Sequence, residues 1–140
     1  MLALIAAALM LQATELPAAS DARADKLIGA IRGYILLGEA CRKPLGDDVA
    51  NAPAALSRAA LSRIADDPAT VTGFIDKAQA ISAEYCAGDV PCWRRYFNMP
   101  DAPDEAGFAT CANAMADAQE EFSTILVWAL NNGTTGERGE

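Results

Sequence analysis

The sequence predicts an all-α protein: a four-helix, up-down-up-down bundle with two disulfides near one end. Three observations carry that expectation. Apolar residues recur at spacings of three and four along four separate stretches, the period of one helical face. Clusters of Pro, Gly, Asp and Asn lie between the stretches, and these residues stop and restart helices. Alternation of helices joined by short loops then gathers Cys41, Cys86, Cys92 and Cys111 at one end.

The chain opens with an almost unbroken run of Met, Leu, Ala and Ile from Met1 to Leu11, followed by small and polar residues up to Ser20. That is the apolar region and small-residue exit of a secretory signal peptide over 1–20, with cleavage expected near Ala19 or Ser20. No Lys or Arg precedes the run, which departs from the usual pattern. The run falls short of the roughly 20 residues a spanning helix needs. The competing reading is an ordinary amphipathic or buried helix over Met1 to Leu16. A single helical domain is expected over 21–132, and a polar, Gly-containing, disordered tail over 133–140.

The first helix is expected from Ala22 to Glu39, with Asp21 or Asp25 at its start and Leu27, Ile28, Ile31, Tyr34 and Ile35 on one broad side. Gly29, Gly33 and Gly38 read as a small-residue groove where another helix packs closely. Arg42 to Pro53 is a break, and its Asp47-Asp48 pair reads as solvated surface, too short for a calcium loop. Pro53 suits a first turn, so the second helix is expected from Ala54 to Ala65, with Leu56, Ala60 and Ile64 as its face and Leu61 beside it. Asp67-Pro68 is a clean start signal for a third helix, Ala69 to Tyr85, with Val71, Phe74, Ile75, Ala78, Ile81 and Tyr85 on one face. Gly73 is expected to admit a close neighbour, and Gly88 to stop the helix. The last helix, Pro103 to Leu130, carries the longest stripe: Phe108, Cys111, Met115, Phe122, Ile125 and Ala129, widened by Leu126 and Leu130. On that reading it is the element the rest packs around, with Trp128 under the bundle base and Asn131-Asn132-Gly133 as its stop.

Four cysteines in a short chain that is expected to be exported read as two disulfides. Cys86–Cys92 with Cys41–Cys111 closes one small loop and ties the first helix to the last. The crossed arrangement, Cys41–Cys92 with Cys86–Cys111, is nearly as compatible with the layout. A cysteine-only metal site is disfavoured because the spacings are far looser than C-x2-C.

The most distinctive stretch is Cys86 to Pro103. Trp93, Tyr96 and Phe97 concentrate a sparse aromatic inventory, and Arg94-Arg95 is the only adjacent arginine pair. One reading is a lid over the bundle end, with the arginines facing water or carboxylates. The sharper one is a recognition patch made of Trp93, Arg94, Arg95, Tyr96 and Phe97, since Trp, Tyr and Arg are favoured at interface centres.

A net charge of −8, from 11 basic and 19 acidic residues, repels nucleic acid and anionic membranes. No histidine is present, which removes the usual general base, the Ser-His-Asp arrangement and most catalytic zinc sites. Haem ligation is disfavoured on the same ground. Paired carboxylates remain, with Glu39, Asp47, Asp48, Glu84, Asp89 and Asp104 as candidates, but none carries a signature that separates it from surface acid. The expectation is therefore a non-enzyme without cofactor or metal, periplasmic or secreted, that acts by binding another protein as an inhibitor, immunity or envelope accessory protein does. The alternatives are an apolar small-molecule or lipid binder, with a pocket lined by Phe74, Met115 and Phe122, and a purely structural envelope protein.

Overall fold

The computed structural model describes residues 18–133 other than 64 and 66, with side chains from Asp25 to Asn131. Most of the expected signal segment and the expected tail, together with Ile64, lie outside the described residues. Among the described residues the architecture is all-α: four long helices and two short ones. They are α1 (Ala18–Ala40), α2 (Arg42–Leu45), α3 (Asp47–Leu61), α4 (Pro68–Tyr85), α5 (Cys92–Tyr96) and α6 (Asp104–Gly133). The long helices alternate in direction, and both disulfides sit near one end. Cys41–Cys111 joins the end of α1 to the early part of α6, and Cys86–Cys92 closes the loop into α5. Of the two arrangements compatible with the sequence, this is the uncrossed one.

α1 is the hub. It packs along α3, α4 and α6 and meets both short helices, whereas α6 packs along α1 and does not pack along α3 or α4. Leu27, Ile31, Tyr34, Ile35 and Leu37 are buried, and together with Leu61, Val71, Ile75, Cys111, Phe122 and Ile125 they form the core. The last helix carries the longer stripe, but α1 is apolar on more than one side and so can bury against three neighbours at once. α1 also begins ahead of Asp21 and Asp25, so neither caps it.

α3 starts at Asp47, well before the expected Ala54. Gly46, at φ 93°, makes the turn out of α2, a backbone region that glycine enters without steric cost. Asp47 and Asp48 then fall in the first turn, where carboxylates suit the helix dipole. Pro53 is thereby inside the helix and buried, at the loss of one backbone hydrogen bond. Its ring lies against α1 at Gly38, where an added Cβ would sit 3.0 Å from Pro53 Cγ and 2.7 Å from the Ala50 carbonyl oxygen. Only small residues fit so close a crossing. The buried face of α3 is therefore Ala50, Pro53, Ala54, Ser57, Ala60 and Leu61, and Leu56 is turned outward, contrary to the expected face. Gly38 is the one member of the glycine series that makes a close crossing. Among the described residues nothing lies within 4 Å of a Cβ built at Gly29, Gly33 or Gly73.

α4 starts as the sequence indicates. Asp67 accepts a hydrogen bond from the Ala69 backbone N–H at 3.0 Å and another from the Thr70 hydroxyl at 2.7 Å, with Pro68 in the first turn. The helix stops at Tyr85, with Cys86 as its C-cap, and Gly88 takes its positive φ of 128° in the loop beyond. Val71, Phe74, Ile75 and Ala78 are buried as expected, but Ile81 and Tyr85 are exposed and Ser82 takes the inward position. α6 does not pack along α4, and among the described residues Ile81 and Tyr85, in the last turns of α4, stay exposed.

In α6, Cys111, Met115, Phe122, Ile125 and Ala129 are buried, whereas Phe108 is 62% exposed. The inward position at that level is Gly107, whose bare backbone receives the Trp93 indole. Among the described residues no helix is long and apolar enough to cross a membrane.

Candidate functional site

The segment from Trp93 to Phe97 divides between core and surface. α5 is a single short helix following Pro91, and it is pinned by the Cys86–Cys92 bond. Trp93 points inward and is only 2% exposed, so it is core rather than contact surface. Tyr96 and Phe97 are half-buried and meet edge to face at 4.9 Å. Arg94 lies over the Trp93 ring at 5.2 Å, donates to the Ala102 carbonyl at 2.9 Å and pairs with Asp104 at the start of α6. Arg95 donates to the Tyr85 carbonyl and covers the Tyr85 ring at 5.1 Å. The two arginines thus have different tasks: Arg94 ties the loop to α6, and Arg95 caps the end of α4.

The exposed surface at this end is one the sequence only half indicates. Ile81 and Val90 are each 55% exposed, and Tyr85 is exposed beside them in sequence, with the Arg95 guanidinium stacked on it. The sequence signal for it was the run of turn residues that follows the end of α4. Burial, with a smaller contribution from the Tyr85 phenol, pushes the Tyr96 phenol above its ordinary pKa.

Three of the six carboxylates considered for catalysis serve in ion pairs. Arg42 donates to Glu39 at 2.8 Å and to Asp47 at 2.9 Å, and also to Asn51, joining α1, α2 and α3 at the break. The hydrogen bond to Glu39, followed by that to Asp47, pushes the guanidinium pKa still higher than usual. Asp104 is the partner of Arg94. Among the described residues no three His, Cys, Asp or Glu side chains gather as a metal site would require.

A concavity runs between α1 and α6. It has a volume of about 410 Å³ and is an open groove rather than an enclosed cavity. Tyr34, Leu37, Phe122 and Ile125 line it, with Gly29 and Gly33 beside them, Asp25, Lys26 and Glu121 among its charged residues, and Tyr96 contributed by α5. It differs from the pocket expected from sequence: Phe122 contributes, but Phe74 and Met115 belong to the core and not to this groove. The Tyr34 and Phe122 rings meet at 5.3 Å, and burial pushes the Tyr34 phenol above its ordinary pKa. No family model matches the chain, and neither a curated protein nor a solved structure matches it.

Proposed function

We propose that this chain is a small exported domain, periplasmic or secreted, that acts without catalysis by binding another protein, as inhibitors, immunity proteins and envelope accessory proteins do. The observation that supports this reading best is at the disulfide end: Ile81, Tyr85 and Val90 are each exposed, and Arg95 is stacked on Tyr85. Trp93 is not part of the contact. It anchors the segment from below, so the recognition surface narrows to Tyr85, Val90 and Arg95, with Ile81 at its edge. The Cys86–Cys92 bond and the Arg95–Tyr85 contacts hold these groups in place before any partner arrives. Order established in the free protein is order that binding need not impose, and it favours affinity. An aromatic side chain and an arginine at the centre of such a patch are the groups that typically dominate binding energy. The unpaired apolar surface on a strongly acidic chain fits a partner with an apolar contact and a basic surround.

The test is site-specific photo-cross-linking in the native host, with the reactive group placed in turn at Tyr85, Val90 and, as a control, Asp117. A discrete adduct from the first two positions that Arg95→Glu abolishes is the expected outcome. Adducts from Asp117 alone, or none from the patch in a chain recovered folded, would overturn the reading.

A further inference from the structure

The two disulfides differ in what surrounds them. Cys41 and Cys111 are both 0% exposed, so no reagent reaches that bond while the core is closed. Cys86 is only half-buried, and the residues after it, Ala87 to Val90, are exposed. Its partner Cys92 is buried, and the Arg95 guanidinium lies 4.0 Å from the Cys92 sulfur. The same guanidinium nitrogen donates to the Tyr85 carbonyl, and the group stacks on the Tyr85 ring, so it is held at this place. Arg95 pairs with no carboxylate among the described residues, which leaves its charge for the sulfur. A cation beside a sulfur favours its thiolate, and a disulfide opens faster when the departing sulfur is the better-stabilised thiolate. One sulfur of this bond is therefore approachable, and the other is prepared to leave.

The fold around the bond does not depend on it. Trp93 is buried against Gly107, and Arg94 ties the same segment to the Ala102 carbonyl and to Asp104. Cys41–Cys111 continues to join α1 to α6. The Cys86–Cys92 bond closes a loop of only 6 positions, and opening it frees the exposed segment that carries Val90. All four cysteines are in bonds, so an attacking thiol has to come from outside the chain.

We propose that Cys86–Cys92 is a thiol–disulfide exchange site, entered at Cys86 with Cys92 as the leaving thiolate, and that it switches the loop between a closed and an open form. The attacker is an external dithiol. Its thiolate bonds to the Cys86 sulfur, the Cys86–Cys92 bond breaks, and the electron pair goes to the Cys92 sulfur beside Arg95. The second thiol of the reagent then attacks the mixed disulfide and releases Cys86. The chain has gained two electrons and two protons, and the dithiol ends as its own disulfide. This inference does not rest on the protein-binding reading, and its test needs no partner.

Dithiothreitol and glutathione are the probes, each added to the oxidised chain as recovered from its host. Rapid alkylation and peptide mass spectrometry give the state of every cysteine. Dithiothreitol is expected to open Cys86–Cys92 at least about tenfold faster than Cys41–Cys111, which is reached only when the core opens. Glutathione caught in the mixed disulfide is expected on Cys86, with Cys92 alkylated. Arg95→Ala should slow the opening at least about threefold, because the leaving thiolate loses its cation, and Arg95→Lys should keep most of the rate. A substitution that only loosened the loop would speed the opening, so an unchanged or raised rate in Arg95→Ala overturns the proposal. Equal rates for the two bonds, or glutathione found on Cys92, overturn it as well. The chain with Cys86–Cys92 alone reduced should keep its far-ultraviolet circular dichroism and a cooperative melt, and loss of either would show that the bond is a staple and not a switch.

Discussion

At Gly107 a single added methyl group would meet the Trp93 indole at 2.8 Å, and at Gly38 it would meet the Ala50 carbonyl at 2.7 Å. Trp93 is buried and the carbonyl is backbone, so neither can swing aside. Gly107→Ala and Gly38→Ala should each lower unfolding free energy in denaturant titrations by about 1–3 kcal/mol, the usual cost of overpacking. Gly29→Ala and Gly33→Ala should do the reverse and raise it by about 0.5–1 kcal/mol, because the groove has room for the methyl and alanine favours the helix. Four glycines in helices therefore divide by sign, and the division cannot be read from spacing. Gly29, Gly33 and Gly38 look like one strip in the sequence, yet one of them receives a neighbouring helix and two leave a space. Trp93 teaches the same point: its place among arginines and tyrosines suggests a surface residue, and it becomes core because Gly107 offers a site only a flat ring can use.

Element boundaries were legible where a side chain does the capping. Asp67-Pro68 announces α4, and both side-chain bonds of Asp67 form. The Thr70 hydroxyl first, and the Ala69 N–H second, hold the Asp67 carboxylate below its ordinary pKa. A carboxylate depressed in the folded state contributes stability that is fully present above its unfolded pKa and is lost as pH falls through the folded value. Asp67→Ala should therefore lower the melting temperature at neutral pH, and the gap from the parent protein should narrow as pH falls through the depressed pKa of the folded Asp67 carboxylate. Thermal melts at neutral and acidic pH would check this, and Asp67→Asn should retain part of the cap without its pH dependence. The start of α3 was not legible, because it depends on the positive φ of Gly46 and on a proline tolerated in a helix interior. Pro53 normally argues for a first turn, and here its contact with Gly38 overrides that preference. The exposed positions of Leu56, Ile81 and Phe108 follow from packing partners, which a stripe does not name.

The whole molecule was legible as a four-helix, disulfide-stapled bundle, since four periodic stretches and four cysteines suffice for that. The identity of the central helix was not, because an apolar face reports that it is buried without reporting against what. The α1–α6 groove escaped for a related reason: it exists only once α6 is placed along α1 and not along α3 or α4. The two bridges differ in reach, joining residues 70 and 6 positions apart. On chain-entropy grounds the longer closure restricts the unfolded chain more, by about 4 kcal/mol against about 2 kcal/mol. Replacing Cys41 and Cys111 by serine should thus lower the denaturant midpoint well beyond the same change at Cys86 and Cys92. The Cys41–Cys111 bond also turns everything from α2 to the start of α6 into a covalent ring. A protease that nicks the turn around Ser62 and Arg63 opens the ring without releasing a fragment, and the severed strands remain one molecule with their core contacts in place. In an environment rich in proteases, such a protein survives its first cut, and the damage shows only when the bond is reduced.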